Sequence, residues 1–194
     1  MKKLLPLIAI LAVAGLGCGR ATPPAANTVT TNGAETSNAP ANPIVNKKYD
    51  SCLLFTKVDA EAVLGMKVND PLHSGAATED QATIVSSCSY ATNAELPVDV
   101  KVASVLIRKA ADATEAVRVY EEARSQSKGL SGVDPMDVQN LGDRAYWAGG
   151  ALSQLNVLKG DAWFIVNIQD TKSKTLQQQA TEAVRRALDK QGKM

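Results

Sequence analysis

The sequence predicts an α+β domain in which an antiparallel sheet of about six strands carries helices on both faces. Three segments of strand character, 143–148, 151–158 and 162–169, follow one another with only short turns between them. Side chains of a strand point alternately to the two faces of the sheet, and in these segments both sets include large apolar residues. Both sheet faces therefore need a covering layer. Three segments with helical apolar spacing are available to supply it.

Each predicted helix has recognisable end signals. Thr56 and Asp59 have the spacing of a capping box, and Gly65 supplies a left-handed stop after Leu64. A second capping signature at residues 112–115 begins a helix that we expect to end at Gly129. The last helix, about 172–189, is closed by Gly192 and has an apolar stripe of Leu176, Ala180, Ala183, Val184, Ala187 and Leu188.

Three earlier strands are predicted at 66–72, 83–91 and 98–108, with a turn through His73, Ser74 and Gly75 after the first. The last three strands are expected to be joined by two-residue turns, Gly149-Gly150 and Gly160-Asp161. That register places one apolar set on one face: Leu155, Val157, Phe164, Val166 and Ile168. It places a second set on the other: Trp147, Leu152, Leu158, Trp163 and Ile165.

The predicted face that holds Trp147, Leu152 and Trp163 has two interpretations. The first is core packing beneath a helix. The second is a binding face, in which the indoles line a groove for an apolar ligand, a glycan or a partner protein, because aromatic side chains concentrate binding energy.

The N-terminal segment has the pattern of a secretory signal. Lys2 and Lys3 precede an apolar run, residues 4–16, which is shorter than the roughly 20 residues that a spanning helix needs. Because the small residues lead into Cys18, the segment resembles a bacterial lipoprotein signal. The resemblance implies removal of residues 1–17 and acylation of Cys18, with palmitate or a related chain. The chain would then be anchored in the cell envelope outside the cytoplasm, in the periplasm or at the cell surface.

A second processing route stays open, since cleavage after Ala14 would leave a secreted protein without a lipid. In either case residues 18–48 are rich in Ala, Thr, Pro and Asn and predict a disordered tether. Residues 49–194 are then expected to form a single domain.

The cysteine count favours acylation. Three cysteines in an oxidising compartment leave one unpaired unless a lipid occupies Cys18. Cys52 and Cys88 are then expected to form a disulfide. Their wide spacing is typical of a structural bridge, whereas redox-active cysteines usually lie two residues apart.

Charge and motif content argue against several functions. Without Lys2 and Lys3 the chain has 19 basic and 20 acidic residues, which gives no electrostatic basis for nucleic-acid binding. His73 is the only histidine and has no nearby ligand pair of the kind zinc sites use. Ser125 and Lys128 match Ser-x-x-Lys without its companion motifs. We therefore predict no catalytic residues, no metal and no cofactor.

Several short motifs resemble a known family. Residues 52–56 (CLLFT), the Leu64-Gly65 pair and residues 88–90 (CSY) are similar to a group of small bacterial envelope lipoproteins of unknown function. Residues 141–145 (LGDRA) and 159–161 (KGD) resemble the second half of those domains. The resemblance implies an α/β/α sandwich like that of PsbP, and it supplies no catalytic residues.

These observations predict a non-enzymatic lipoprotein that is attached to a membrane through Cys18. It would act as a binding or accessory module for an envelope protein or a cell-wall partner. The alternative is a secreted or anchored hydrolase or metal-dependent enzyme, whose site is assembled from residues far apart in the sequence.

Overall fold

The computed structural model describes residues 46–75, 82–93, 99–170 and 173–194, and these form one antiparallel sheet with helices on both faces. The predicted α+β class is confirmed. In the described residues the sheet has seven strands instead of about six. The predicted signal, Cys18 and the tether as far as residue 45 lie outside the described residues.

The described elements follow one another along the chain. A short 3-10 helix, Lys47–Tyr49, comes first, so the last two residues that the sequence assigned to the tether belong to an ordered turn. The α-helices are α1 (Ser51–Leu54), α2 (Lys57–Leu64), α3 (Ala113–Ser131) and α4 (Leu176–Gln191). The strands are β1 (Leu72–Ser74), β2 (Ile84–Ala91), β3 (Val102–Lys109), β4 (Met136–Asp137), β5 (Arg144–Ala148), β6 (Gln154–Lys159) and β7 (Ala162–Gln169).

The strands lie in the order β1-β2-β3-β7-β6-β5-β4, and every neighbouring pair is antiparallel. Helices α1, α2 and α4 cover the face that carries Cys88, which we call the disulfide face. Helix α3 packs on the opposite face over β5, β6 and β7. We call this second face the open face, because Val85 of β2 is 52% exposed on it.

The predicted helix signals are largely confirmed. The Asp59 carboxylate accepts a hydrogen bond from the backbone N–H of Thr56 at 2.8 Å, and Gly65 ends α2 with a φ of +67°. The Asp112 carboxylate accepts from the backbone N–H of Glu115 at 2.9 Å and begins α3. The predicted stripe of α4 is buried at Ala180, Ala183, Val184 and Ala187.

The predicted end of α3 at Gly129 is wrong. The helix continues to Ser131, and Gly132 ends it with a φ of +80°. A glycine inside a helix costs only about 1 kcal/mol. The hydroxyl of Ser127, two residues before Gly129, is buried and donates to the carbonyl of Arg124 at 2.7 Å.

The two edge strands differ from the prediction. The strand expected at 66–72 is instead β1, and His73 and Ser74 belong to it rather than to a turn. Val68 makes only an isolated bridge with Thr92. All three residues of β1 are exposed and β4 has only two residues, so neither strand has a hydrophobic pattern that could reveal it. The strand predicted at 98–108 is confirmed from Val102 onward, and residue 98 lies outside the described part.

The predicted pairing of β5 with β6 is also wrong. Trp147 lies opposite Leu155 rather than Leu152, so the loop is residues 149–153. The shift of three residues is odd, which moves side chains of β5 to the other face of the sheet. The second turn, Gly160-Asp161, has the predicted two residues, since Lys159 pairs with Ala162.

The reason for the longer loop is contact with α3. The backbone N–H of Ala151 donates to the carbonyl oxygen of Ser131 at 3.1 Å. A Cβ atom on Gly150 would lie only 2.2 Å from that oxygen, and the φ of Gly150 is +57°. Gly150 is therefore required for a close approach to the end of a helix rather than for a two-residue turn.

An ion pair between a buried carboxylate and a partly exposed lysine joins α2 to α4. The Asp59 carboxylate is 7% exposed and contacts Lys190 Nζ, which also approaches the Thr56 hydroxyl at 3.3 Å. Burial alone would raise the pKa of Asp59, but the hydrogen bonds from Lys190 and Thr56 outweigh it and hold that pKa below the usual 3.8. The ionised carboxylate is therefore favoured by the folded state.

We expect Asp59→Asn to lower the free energy of unfolding by about 1 to 3 kcal/mol at pH 7, because Lys190 then loses its buried partner. A lowered folded-state pKa contributes stability above the ordinary pKa, and this contribution disappears as the pH falls through the folded value. The difference between wild type and variant, measured by urea unfolding, should therefore shrink below about pH 4.

Asp70→Asn is the matched control. Hydrogen bonding from Lys57 also lowers the pKa of Asp70, but that carboxylate is 92% exposed. The control should unfold like wild type at every pH, because solvent screens an exposed pair. A constant difference between wild type and Asp59→Asn from pH 7 down to pH 2 would contradict this account of Asp59.

Candidate functional site

The first pair of family-like motifs meets at the predicted disulfide, which is confirmed. Cys52 and Cys88 are bonded, with their Cα atoms 5.1 Å apart. Tyr90 donates its hydroxyl to the carbonyl of Phe55 at 3.0 Å, and the two rings pack edge to face at 5.9 Å between centroids. Residues 52–56 and 88–90 are therefore fastened to one another by a covalent bond and a buried hydrogen bond.

Local contacts hold α1 beside the disulfide. This helix has only four residues, too few to be stable without tertiary contacts. The Asp50 carboxylate accepts from the backbone N–H of Cys52 at 2.9 Å and of Leu53 at 3.1 Å. The hydroxyls of Ser51 and Ser86 lie 2.8 Å apart in the buried interface with β2.

His73 joins this cluster from strand β1. Its Nε2 atom lies 3.4 Å from the Ser86 hydroxyl and 3.9 Å from the Asp50 carboxylate. An acid, an imidazole and a hydroxyl are thus brought together from three distant parts of the sequence. This is the kind of assembled site that the enzymatic alternative requires.

The geometry differs from that of a nucleophilic triad. In a triad the acid and the nucleophile contact opposite nitrogens of the imidazole, whereas here both lie near Nε2. Ser86 is completely buried, and its hydroxyl oxygen already accepts from the backbone N–H of Ser51 at 3.1 Å. The cluster is therefore suited to holding α1 and β1 on the sheet rather than to attacking a substrate.

The other candidates for chemistry do not assemble either. The Ser125 hydroxyl donates to the carbonyl of Glu122 at 2.7 Å, and Lys128 binds Asp134 at 3.0 Å, so the Ser-x-x-Lys pair does not interact as a unit. Within the described ranges, no group of three or more His, Cys, Asp or Glu side chains is arranged to hold a metal ion.

The second pair of motifs, residues 141–145 and 159–161, is also joined by hydrogen bonds. The Asp143 carboxylate accepts from Lys159 Nζ at 2.8 Å and from the backbone N–H of Gly160 at 2.7 Å. The hydrogen bond from Gly160 and then that from Lys159 lower the pKa of Asp143, so it stays ionised. Gly142 has a φ of +62°, and a Cβ there would meet the carbonyl oxygen of Leu158 at 2.5 Å. Residues 141–145 and 159–161 thus fasten β5 to the β6–β7 turn.

A polar cavity of about 380 Å³ opens between α3 and the loop before β5. Its two guanidinium groups are already paired, Arg124 with Asp137 at 2.6 Å and Arg144 with Glu121 at 2.6 Å. Nearby, burial raises the pKa of Tyr146 to about 12, so its hydroxyl stays protonated at neutral pH. The third carboxylate of the lining, Asp143, is paired with Lys159, so an ionic ligand would have to displace an existing partner.

The tryptophan face predicted from the sequence is divided by the structure. Trp147 belongs to the core of the disulfide face, whereas Trp163 and Leu152 belong to the cluster under α3. Both indoles are buried, at 7% and 8% exposure. The grouping of Trp147 with Trp163 is therefore wrong, because it rested on the two-residue turn that the chain does not form.

Trp163 does border a groove. The groove has a volume of about 400 Å³ on the open face beside α3. Its lining comes from β2 and the residue before it, from β3 and from β7: Thr83, Val85, Leu106, Arg108, Lys109, Trp163 and Ile165. Sequence reasoning missed all of these except Trp163 and Ile165. The available signal was β3, which becomes apolar on both faces near Leu106.

The fold and these sites define an α+β protein with an antiparallel sheet and one disulfide. Comparison with models of known protein families finds no match, and comparisons with curated proteins and with solved structures find none either. Among the helices of the described segments, none is long and apolar enough to cross a membrane.

Proposed function

We propose that the protein is a cell-envelope lipoprotein, held to a membrane by acyl chains on Cys18, with residues 49–194 as a non-catalytic binding or accessory module. One observation carries the proposal. The chain has three cysteines and the structure joins Cys52 to Cys88, so Cys18 is the cysteine left for a lipid. Its place directly after an apolar, signal-like segment supports the same assignment.

The proposal of a non-catalytic module is supported by the structural roles of the residues that could have been catalytic. Ser86 is buried and Asp50 caps a helix, so each has a structural role that explains its contact with His73. The binding part is supported by the open face, where α3 packs over β5, β6 and β7 but leaves Val85 of β2 52% exposed. An envelope protein or a cell-wall component is the class of partner that an anchored module would reach.

We also propose that the layout is the α/β/α sandwich of PsbP-like domains. The support is an antiparallel sheet between α3 on one face and α1, α2 and α4 on the other. Four of the five family-like motifs meet two by two in this layout, which supports a structural rather than a catalytic reason for their spacing.

The anchor is tested by expressing the full chain in a bacterium that processes lipoproteins. Wild-type protein should sediment with membranes, and its intact mass should correspond to residues 18–194 plus acyl chains. Cys18→Ala should lose the acyl mass, because the acceptor sulfur is absent. The measurements are membrane fractionation and intact mass spectrometry.

A Cys52→Ala/Cys88→Ala variant is the matched control, since it also removes cysteines but leaves Cys18 in place. It should keep the acyl mass and the membrane fraction. A wild-type mature chain that begins after residue 14, or that begins at residue 18 without lipid mass, would refute the anchor.

A further inference from the structure

The groove on the open face has an apolar floor and an open top. Leu106 and Ile165 lie opposite one another on β3 and β7, and Arg108 lies opposite Trp163 one step along the same strands. Val85 pairs with Arg108 from the other side and is 52% exposed. The apolar side chains of Val85, Leu106, Ile165 and Trp163 therefore lie around Arg108 on a surface that solvent reaches.

The indole of Trp163 is fixed at the inner wall of this groove. Its Nε1 donates to the Asn156 side chain at 3.2 Å, and its ring packs edge to face on Tyr120 of α3 at 6.3 Å. The polar edge of the indole is thus satisfied inside the protein. What remains for a ligand is apolar ring surface, which also makes Trp163 a fluorescent reporter for the groove.

Two basic residues line the groove, and Arg108 lies between Val85 and Trp163 in the sheet. Arg108 is exposed, whereas Lys109 donates to the carbonyls of Ala82 and Ala110, both at 3.0 Å. Hydrogen bonds from Arg118 lower the pKa of Glu115, and the charge of Arg108 adds to that shift, so Glu115 is already committed to Arg118. The lining described for the groove contains no carboxylate.

We propose that this groove binds a medium-chain fatty acid, which is a single-chain amphiphile with a carboxylate head group. The chain lies along Leu106, Ile165 and Trp163, and the carboxylate pairs with the guanidinium of Arg108 next to Val85. The volume of about 400 Å³ lies within the range of about 300 to 1,000 Å³ typical of small-molecule pockets. The inference rests on the proposed role of the domain as a binding module, and it names the ligand class.

The charge balance favours a carboxylate over the other occupants. One guanidinium matches one carboxylate in charge and in its two-pronged hydrogen-bond geometry. An uncharged lipid would have no anionic group to pair with the guanidinium of Arg108. An acidic membrane surface would need several basic groups on one plane, whereas Lys109, the other basic residue of the lining, is held by backbone carbonyls.

The test uses the mature chain, residues 18–194, carrying Cys18→Ala, so that no attached lipid competes for the groove. The probes are 11-bromoundecanoate and the uncharged 11-bromoundecan-1-ol, because bromine quenches an indole at near contact. We expect the acid to quench the fluorescence saturably below its micelle concentration. The alcohol should bind about tenfold more weakly, because it cannot form the charge-assisted hydrogen-bonded pair with Arg108. Trp163→Phe should abolish the quenching, since Trp147 lies in the core of the other face.

Two variants locate the site. Arg108→Gln should weaken the acid about tenfold and change binding of the alcohol less than about twofold. Val85→Asp introduces a carboxylate at a half-exposed position and should weaken the acid at least about tenfold. Leu72→Asp is the control, because Leu72 is 78% exposed on the same face but outside the groove lining. Far-ultraviolet circular dichroism checks that each variant is folded.

The proposal is overturned if quenching does not saturate, if it persists in Trp163→Phe, or if it is equal in wild type, Arg108→Gln and Val85→Asp. Sedimentation with phosphatidylglycerol vesicles that Val85→Asp abolishes, without binding of the free acid, would also overturn it in favour of a membrane surface. Because the assay omits the lipid on Cys18, failure here leaves the anchor to be judged by the mass measurement alone.

Discussion

Removal of the Cys52–Cys88 bridge should lower the free energy of unfolding by about 2 to 4 kcal/mol. The bond closes a loop of 36 residues, so its loss gives the unfolded chain more conformational freedom. The folded state is affected as well, because α1 is too short to stay on the sheet through helix propensity alone.

The measurement is guanidinium unfolding of the Cys52→Ala/Cys88→Ala variant, followed by circular dichroism. Wild type in reductant should unfold close to the variant, whereas reductant should leave the variant unchanged. This comparison separates the bond from the packing of the two side chains, of which Cys88 is completely buried. Equal unfolding midpoints for oxidised wild type and the double variant would show that the bond does not stabilise the fold.

Gly142→Ala should be at least as damaging, with a loss of about 2 to 5 kcal/mol. The backbone at Gly142 has a φ of +62°, where an L side chain is strained. The added Cβ would also lie 2.5 Å from the carbonyl oxygen of Leu158 and 2.6 Å from Cγ1 of Val157. Because both neighbours belong to β6 in the middle of the core, neither can move without disturbing the sheet.

Gly65→Ala is the matched control. Its φ of +67° is nearly the same, but no atom lies within 4 Å of the position that a Cβ would occupy. The control should therefore lose only the strain of the left-handed backbone, about 1 to 2 kcal/mol. Urea unfolding of both variants measures the difference, which is the cost of the clash. Equal losses would contradict the close packing that the structure places at Gly142.

The helices were predictable because their signals are local. Asp59 and Asp112 bond to amides three residues away, and Gly65 needs only its own backbone to reach a positive φ. The one clear failure in α3 shows the limit of such signals. Gly129 is a permitted stop, but the helix passes through it to Ser131, whose carbonyl oxygen accepts from the backbone N–H of Ala151.

The residues on each sheet face were less predictable, because the register of one strand pair decides to which face many side chains point. Gly149-Gly150 resembles a tight turn, yet Gly150 is required by the approach of Ser131 from α3. The resulting shift places Trp147 and Trp163 on opposite faces and removes the predicted tryptophan surface. The groove beside Trp163 depends on where α3 ends across the sheet, and no local pattern carries that information.

The sequence by itself determined the α+β class, the pairing of Cys52 with Cys88, and the starts of the capped helices α2 and α3, since each depends on composition, parity or contacts within a few residues. Only the tertiary structure decided the strand register, the pairing of distant motifs through Asp143, and the part of the open face that α3 leaves uncovered. These features depend on how whole elements pack, and a packing contact between residues far apart in the chain has no signature in either segment alone.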